Sequence, residues 1–196
     1  MSQFQPYSFS SGWFNEKHFI ANFKPAIPNS SLPLNYTRQR AFMTNSDILR
    51  TIRYIFNFKD PEMVAIFKDG GLDLKREEVA NFLKNDDEEH FQAIIDKDLA
   101  AFLNGFIVEK RGKKDGEDPK PEKSLNNNII FRKLRIALNL KEDDVLEILS
   151  SVGMHISPHE LSAFFRKPSQ SQYRPCKDQI LRNFLNGLKK KYRPTV

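Results

Sequence analysis

The sequence FLNG occurs twice, at Phe102–Gly105 and again at Phe184–Gly187, 82 positions further along the chain. The register holds around it: residues 45–106 align with residues 127–188 without a gap, and 16 of the 62 aligned positions are identical. Many of the differing positions exchange one apolar residue for another. A fixed period of this length indicates an internal duplication, so the chain is predicted to contain two copies of one domain.

The first two helices of each copy follow from apolar spacing and from residues that end or begin helices. Apolar residues at helical period predict a helix from about Ser46 to Phe56, and Asn57 is predicted to end it because asparagine tolerates the left-handed conformation. Asn139 has the same place in the second copy. Asp60 is the predicted N-cap of the next helix, with Pro61 at its first position.

Two further helices are predicted in each copy. Ser157, Pro158 and Glu160 form a capping-box pattern at the start of the third, and Asp96 or Asp178 is the predicted cap of the fourth. No stretch alternates with period two for long enough to indicate a strand. The predicted fold class is therefore all-α, with two tandem copies of a four-helix domain related by a pseudo-twofold axis.

Composition divides the chain into four segments. Residues 1–42 contain aromatic residues without helical period and are predicted to be a poorly ordered N-terminal extension outside the repeat. Residues 43–111 form the first copy, and residues 125–196 form the second copy with a basic tail. Between them, residues 112–124 read GKKDGEDPKPEKS, with no large apolar residue and two prolines, which predicts a flexible linker.

Charge differs sharply between the two halves of the chain. Residues 43–125 carry a formal net charge of −4 and residues 126–196 carry +7, whereas the whole chain carries +6. The single cysteine, Cys176, is typical of a reducing compartment. No basic and apolar leader begins the chain and no apolar run is long enough to span a bilayer. A cytoplasmic protein that does not contact a membrane is predicted.

Several long motifs in order identify a family resemblance. They are MTNSDILRTIRYIF from Met43, FLNGFIVEKRG, NNNIIFRKLRIALNLKEDDVLEIL and YRPCKDQILRNFLNGL. From Met43 to about Lys191 the chain resembles the YehS-like family of uncharacterised bacterial proteins, whose members carry a domain of unknown function in duplicate. Lys177 departs from the family, which more often has glycine there. The resemblance implies the duplicated fold and a bacterial cytosol, and it implies no catalytic residue.

Basic residues recur at three-residue spacing on the first helix of each copy, which places them on one side of that helix. One interpretation is a clamp for an anion or an acidic partner; the other is ion pairing with acidic residues at the start of the next helix, such as Asp60 or Asp143. The candidate anion or partner contacts are Arg50, Arg53, Arg132, Lys133 and Arg135.

The FLNG block is the best-kept part of the repeat and places a glycine inside a predicted helix, where glycine costs about 1 kcal/mol relative to alanine. We expect close approach of another helix at Gly105 and Gly187. Asn104 and Asn186 are expected to bond backbone groups freed at a helix end, with ligand binding as the alternative.

No motif predicts a catalytic residue, a metal ligand or a cofactor. His155 and His159 straddle a helix start and lack a third ligand, the acidic run from Asp86 to Glu89 is typical of a solvated loop, and Cys176 has an apolar counterpart, which favours a buried and inert thiol. The sequence therefore favours a non-catalytic binding or regulatory protein with an unidentified protein partner. The alternative is a nucleic-acid-binding protein that uses the basic second copy and its tail, Lys189–Lys191.

Overall fold

A computed structural model describes residues 42–113 and 120–194, so the predicted N-terminal extension lies almost wholly outside the described residues. In these two ranges the chain forms helices and no strand, and both copies lie in one compact unit. The all-α prediction with four helices per copy is confirmed. The helices are α1 (Asn45–Phe56), α2 (Asp60–Asp69), α3 (Arg76–Leu83), α4 (Asp96–Arg111), α5 (Asn127–Ala137), α6 (Glu142–Ser150), α7 (Pro158–Phe164) and α8 (Asp178–Tyr192).

The turns repeat with the same period as the sequence. Asn57 ends α1 with φ 54°, and its counterpart Asn139 has φ 52° after α5. Gly71 and Gly153, which follow α2 and α6, have φ 84° and 78°. Left-handed backbone at asparagine and glycine is common at helix ends. The duplication therefore extends from residue identity to backbone conformation.

Three predicted caps are first helical residues instead. Lys59 is the N-cap of α2, and Asp60 begins the helix. Asp96 begins α4, and its carboxylate accepts a hydrogen bond from Asn45 Nδ2 at 2.7 Å; Asp178 begins α8 and is held in the same way by Asn127 at 2.6 Å. The backbone N–H of Leu125 and then the Asn45 amide lower the pKa of Asp96. These carboxylates bond to residues of other helices, so they do not cap the helices in which they lie.

Each copy packs its second helix against its fourth, at the glycine of the FLNG block. A Cβ atom on Gly105 would overlap the carbonyl oxygen of Ile66 in α2, and one on Gly187 would lie 2.5 Å from that of Ile148 in α6. Ile66 and Ile148 are themselves counterparts in the repeat. Without a side chain at these glycines, the two helices approach closely in both copies.

The two copies pack together through reciprocal pairs of helices, α4 with α5 and α1 with α8. In each pair the fourth helix of one copy meets the first helix of the other. Arg111 Nη1 donates to the carbonyl of Ile136 at 3.4 Å, and Arg193 Nη1 donates to the carbonyl of Tyr54 at 2.5 Å. Both members of the second pair are counterparts of those in the first. Reciprocity of this kind is the signature of a twofold interface, here a pseudo-twofold within one chain.

The predicted linker falls partly on residues 114–119, which lie outside the described residues. Its C-terminal end contacts both copies: Ser124 Oγ donates to the carboxylate of Asp96 at 3.3 Å, and Glu122 forms an ion pair with Lys133 at 2.9 Å. Within the described part of the chain, no helix has the length and apolar character that crossing a membrane requires.

Candidate anion-binding cleft

Two surface clefts occupy equivalent positions in the repeat, each formed by the first helix of one copy and the end of the fourth helix of the other. The first cleft has a volume of about 630 Å³ and the second of about 890 Å³. The first cleft is lined by Arg50, Arg53, Tyr54, Phe58, Leu83 and Arg193, among others. The second cleft is lined by their counterparts Arg132, Arg135, Ile136, Leu140, Phe165 and Arg111, together with Lys113 and others.

Backbone carbonyls orient the arginine side chains in the same way in both clefts. Arg53 Nε donates to the carbonyl of Phe58 at 3.2 Å, and Arg135 Nε donates to that of Leu140 at 3.1 Å. Because these carbonyls follow the left-handed residue that ends each first helix, the helix end fixes the guanidinium group. The recurrence of these arginines in both copies therefore has a structural reason.

In the first cleft Arg50, Arg53 and Arg76 pair with carboxylates of their own copy. Arg53 Nη2 lies 2.6 Å from Asp60 Oδ1, which confirms one of the predicted ion pairs, and Arg76 Nη2 lies 3.0 Å from Asp60 Oδ2. Arg50 pairs with Asp47 at 2.7 Å and with Asp86 at 3.3 Å. Burial opposes ionisation of Asp47, but hydrogen bonds from Thr44 and Arg50 outweigh it and lower the pKa of the carboxyl group.

In the second cleft the equivalent arginines bond only neutral groups among the described residues. Arg132 Nη2 donates to the carbonyl of Phe165 at 2.7 Å, and the guanidinium carbon of Arg135 lies 4.7 Å from the centre of the Phe165 ring. Arg111 donates to the carbonyl of Ile136 and to Asn139 Oδ1. Residues 42–113 and 120–194 contribute no carboxylate to the lining of this cleft.

The repeat itself explains the missing carboxylates. Ile129 stands where the first copy has Asp47, and Pro168 stands where it has Asp86. Glu142 stands where it has Asp60, but its side chain is exposed and does not line the cleft. Arginine stays protonated at all physiological pH values. Three guanidinium groups therefore line the second cleft without a described counter-charge, which favours binding of an anion there.

Lys133 does not join this cleft. Its side chain is buried between α4 and α5, where Nζ donates to Asn104 Oδ1 and pairs with Glu122 Oε2. Asn104 thus accepts a hydrogen bond from a lysine side chain of the other copy. Asn186, its counterpart in the second copy, is exposed. The two asparagines therefore have different environments, although the glycines beside them have the same one.

The basic tail is held against the first copy and the end of α6. Lys189 Nζ lies 4.8 Å from the centre of the Tyr54 ring, and the guanidinium carbon of Arg193 lies 4.0 Å from it. Lys190 Nζ donates to the carbonyl of Ser151 at 2.8 Å. Lys189 and Lys190, two of the three lysines predicted as a nucleic-acid contact, thus contact other groups of the chain.

The other candidate groups differ in their environments, since Cys176 is buried and His155 is exposed. The described residues contain no cluster of three or more metal-ligating side chains. Burial, followed by the nearby carboxylate of Asp178, raises the pKa of the Cys176 thiol to about 12, so the thiolate is scarce at neutral pH. His155 Nδ1 lies 3.3 Å from Ser150 Oγ, in an exposed position.

The sequence predicted four of the six arginines that the first helices and the interface between the copies contribute to the two clefts. It missed Arg193 in the first cleft and Arg111 in the second. Arg111 lies beyond the 62-residue alignment, and its counterpart is Arg193. Extending the same register by five positions past Phe106 would have shown the identity. Its contact with Ile136 depends on packing between copies, which the register alone does not reveal.

Comparisons with known proteins agree with the duplication. The model of a family described as "Protein of unknown function (DUF1456)" matches twice, at residues 45–112 and 127–193. The chain is 44% identical over 147 residues to the uncharacterized protein YehS of Escherichia coli strain K12, which covers 74% of this chain and 94% of that protein. No solved structure is significantly similar to the chain.

Proposed function

Because this chain belongs to the DUF1456 family, with two tandem copies of its domain, we propose that it is a non-catalytic binding module that holds an anionic ligand in the second cleft. One observation carries the proposal: among residues 42–113 and 120–194, Arg132 and Arg135 have no carboxylate partner, whereas Arg50 and Arg53 do at the equivalent positions. The proposed compartment is the cytoplasm, as expected for a chain with a single cysteine.

Binding and not catalysis is proposed because the cleft supplies charge without reactive groups. Its described polar side chains are arginine, lysine and asparagine, none of which is a nucleophile paired with a general base. Fixed guanidinium groups recognise carboxylate and phosphate oxygens with defined geometry. A ligand held here would therefore be recognised by its negative charge and by contact with the neighbouring apolar side chains.

A thermal-shift measurement with matched variants tests this function. The melting temperature is measured against increasing phosphate, sulfate or citrate at constant ionic strength, since a ligand of the native state alone stabilises it in proportion to ln(1 + [L]/Kd). We expect an increase for the wild-type protein and for Arg53→Gln, because Arg53 already pairs with Asp60 in the wild-type protein. Arg135→Gln should lose the increase.

The size of the increase, and not the absolute melting temperature, is the readout, because Arg53→Gln also breaks the ion pair with Asp60. An increase that is equal in Arg135→Gln and in the wild type would place the bound anion elsewhere. No increase with any of the three anions contradicts the proposed function itself.

A further inference from the structure

The first cleft shows which chemical group its arginines hold; Arg50 and Arg53 recur in the second cleft, whereas Arg76 is replaced by Pro158. Asp60 presents its carboxylate to two arginines: Arg53 Nη2 binds Oδ1 at 2.6 Å, while Arg76 Nη2 and Nε bind Oδ2 at 3.0 and 3.3 Å. Arg50 holds a further two carboxylates, those of Asp47 and Asp86. Guanidinium groups favour this forked arrangement with planar carboxylates. The ligand that completes the first cleft is thus part of the chain.

We propose that the second cleft binds an acidic segment of a partner protein, whose carboxylate side chains take the places that Asp47, Asp60 and Asp86 occupy in the first cleft. The inference rests on the proposed function and specifies its ligand. Arg132 and Arg135 are the side chains that would receive these carboxylates.

The register of the repeat identifies the places left without an acid. Two of the three acidic positions of the first copy, those of Asp47 and Asp86, become Ile129 and Pro168 in the second. Both acids pair with Arg50, whose counterpart Arg132 is unchanged, and Arg132 and Arg135 are still held at backbone carbonyls. Their orientation is therefore set before any ligand arrives, which reduces the entropy lost on binding.

The apolar wall of the second cleft favours a peptide over a nucleic acid. Ile136 is 44% exposed at the position where the first cleft has Tyr54. Phe165, the aromatic residue of the second cleft, is half-buried, and Arg135 lies over its ring. Single-stranded nucleic acids bind best where exposed aromatic rings stack on bases. An acidic segment with aliphatic side chains fits Ile136 and the arginines together.

A peptide-binding experiment tests the ligand class. The probe is a short, capped, fluorescent peptide of alternating aspartate and leucine, and binding to the full chain is followed by fluorescence anisotropy. The same peptide with asparagine for aspartate is the charge control. We expect binding of the acidic peptide, about tenfold or greater weakening in Arg135→Gln, and little change in Arg53→Gln, because one charge-assisted contact is worth about tenfold or more in affinity.

Removing the internal carboxylate provides a second test. In Asp60→Asn the first cleft loses the group that occupies Arg53 and Arg76, so we expect calorimetry to count a second equivalent of the acidic peptide per chain. A stoichiometry unchanged from the wild type would overturn the equivalence of the two clefts on which this ligand class depends.

A phosphoserine peptide and a single-stranded oligonucleotide compete in further arms of the same assay. If oxyanions raise the melting temperature as described above but the acidic peptide does not bind, the proposed function stands and the carboxylate ligand is overturned. The carboxylate ligand is also overturned if the oligonucleotide or the phosphopeptide displaces the acidic peptide at a competitor concentration far below that of the acidic peptide. If neither oxyanions nor any of these probes bind, the anion-binding function fails as well.

Discussion

Lys133 Nζ lies 2.9 Å from Glu122 Oε2 at the boundary between the two copies, and the lysine is buried whereas the glutamate side chain is 37% exposed. The same ammonium group donates to Asn104 in α4. The ion pair therefore attaches the end of the predicted linker to the helices that hold the copies together.

Replacing Lys133 tests how much this buried ammonium contributes. We expect Lys133→Met to lower the free energy of unfolding by about 1–3 kcal/mol, because it leaves Asn104 Oδ1 without its charged donor. Glu122→Gln should cost less than about 1 kcal/mol, because its side chain is partly solvated. Urea unfolding measures both. A Lys133→Met variant more stable than the wild type would show that apolar packing outweighs the ion pair.

The two asparagines of the FLNG blocks form a matched pair for mutation. Asn104→Ala should destabilise the protein by about 1–3 kcal/mol because Asn104 is buried and bonded to Lys133. Asn186→Ala should change stability by less than about 0.5 kcal/mol, since Asn186 is exposed. Equal losses of unfolding free energy in the two variants, measured by chemical denaturation, would contradict the expectation that burial determines the effect of the substitution.

The glycines of the same blocks should behave alike. Gly105→Leu and Gly187→Leu are each expected to destabilise the protein by more than about 2 kcal/mol, because the new side chain would meet Ile66 or Ile148 at a close helix crossing. Differential scanning calorimetry of both variants checks this. Melting temperatures equal to that of the parent protein would mean that the helices separate there without cost.

The buried thiol gives a prediction about pH. Burial raises the pKa of Cys176 from its ordinary 9.0 to about 12, so the folded protein retains this proton where the unfolded chain has lost it. The contribution of this group to stability is complete below about pH 9 and is lost as pH rises toward 12. We also expect slow labelling by a thiol reagent near pH 8 and immediate labelling in denaturant. Rapid labelling of the folded protein would contradict this.

The predicted linker leads to a test by limited proteolysis. Its composition predicts cleavage within residues 112–124 before cleavage inside either copy. Because α4 packs on α5 and α1 on α8, the two fragments should stay associated and co-elute in gel filtration. Fragments that separate in native buffer would show that the interface is too weak to persist without the covalent connection.

The sequence was sufficient for those parts of the fold that depend on local chemistry. Helical period and the paired terminators Asn57 and Asn139 predicted the helices, and the register predicted the copies. The caps were less predictable: Asp60 has good capping chemistry, but its carboxylate is held by Arg53, seven positions earlier in the chain, and by Arg76. Whether an acidic side chain caps its own helix or binds another element is decided by packing.

The sequence predicted most of the arginines of the candidate site, but it did not predict which side chains face the cleft or which carboxylates they pair with. The spacing of Arg132 and Arg135 identified the helix face. Lys133 was predicted to lie on the same face, but adjacent residues on a helix point in different directions. Lys133 faces α4 and is buried. The sequence alone did not show that Pro168 stands in the place of an ion-pair partner, because Arg50 and Asp86, which form the equivalent pair in the first cleft, are 36 positions apart.

The reciprocal contacts between the copies have a consequence for the origin of the chain. An interface in which α1 meets α8 and α4 meets α5 is one that two separate copies of a half-length ancestor could make as a homodimer. In such a dimer every substitution appears on both sides of the axis, so both clefts must carry the same charge. Gene fusion removes that obligation. One half of a fused chain can carry carboxylates at residues 47 and 86 while the other half has none at the equivalent positions, an asymmetry closed to any homodimer encoded by a single short gene.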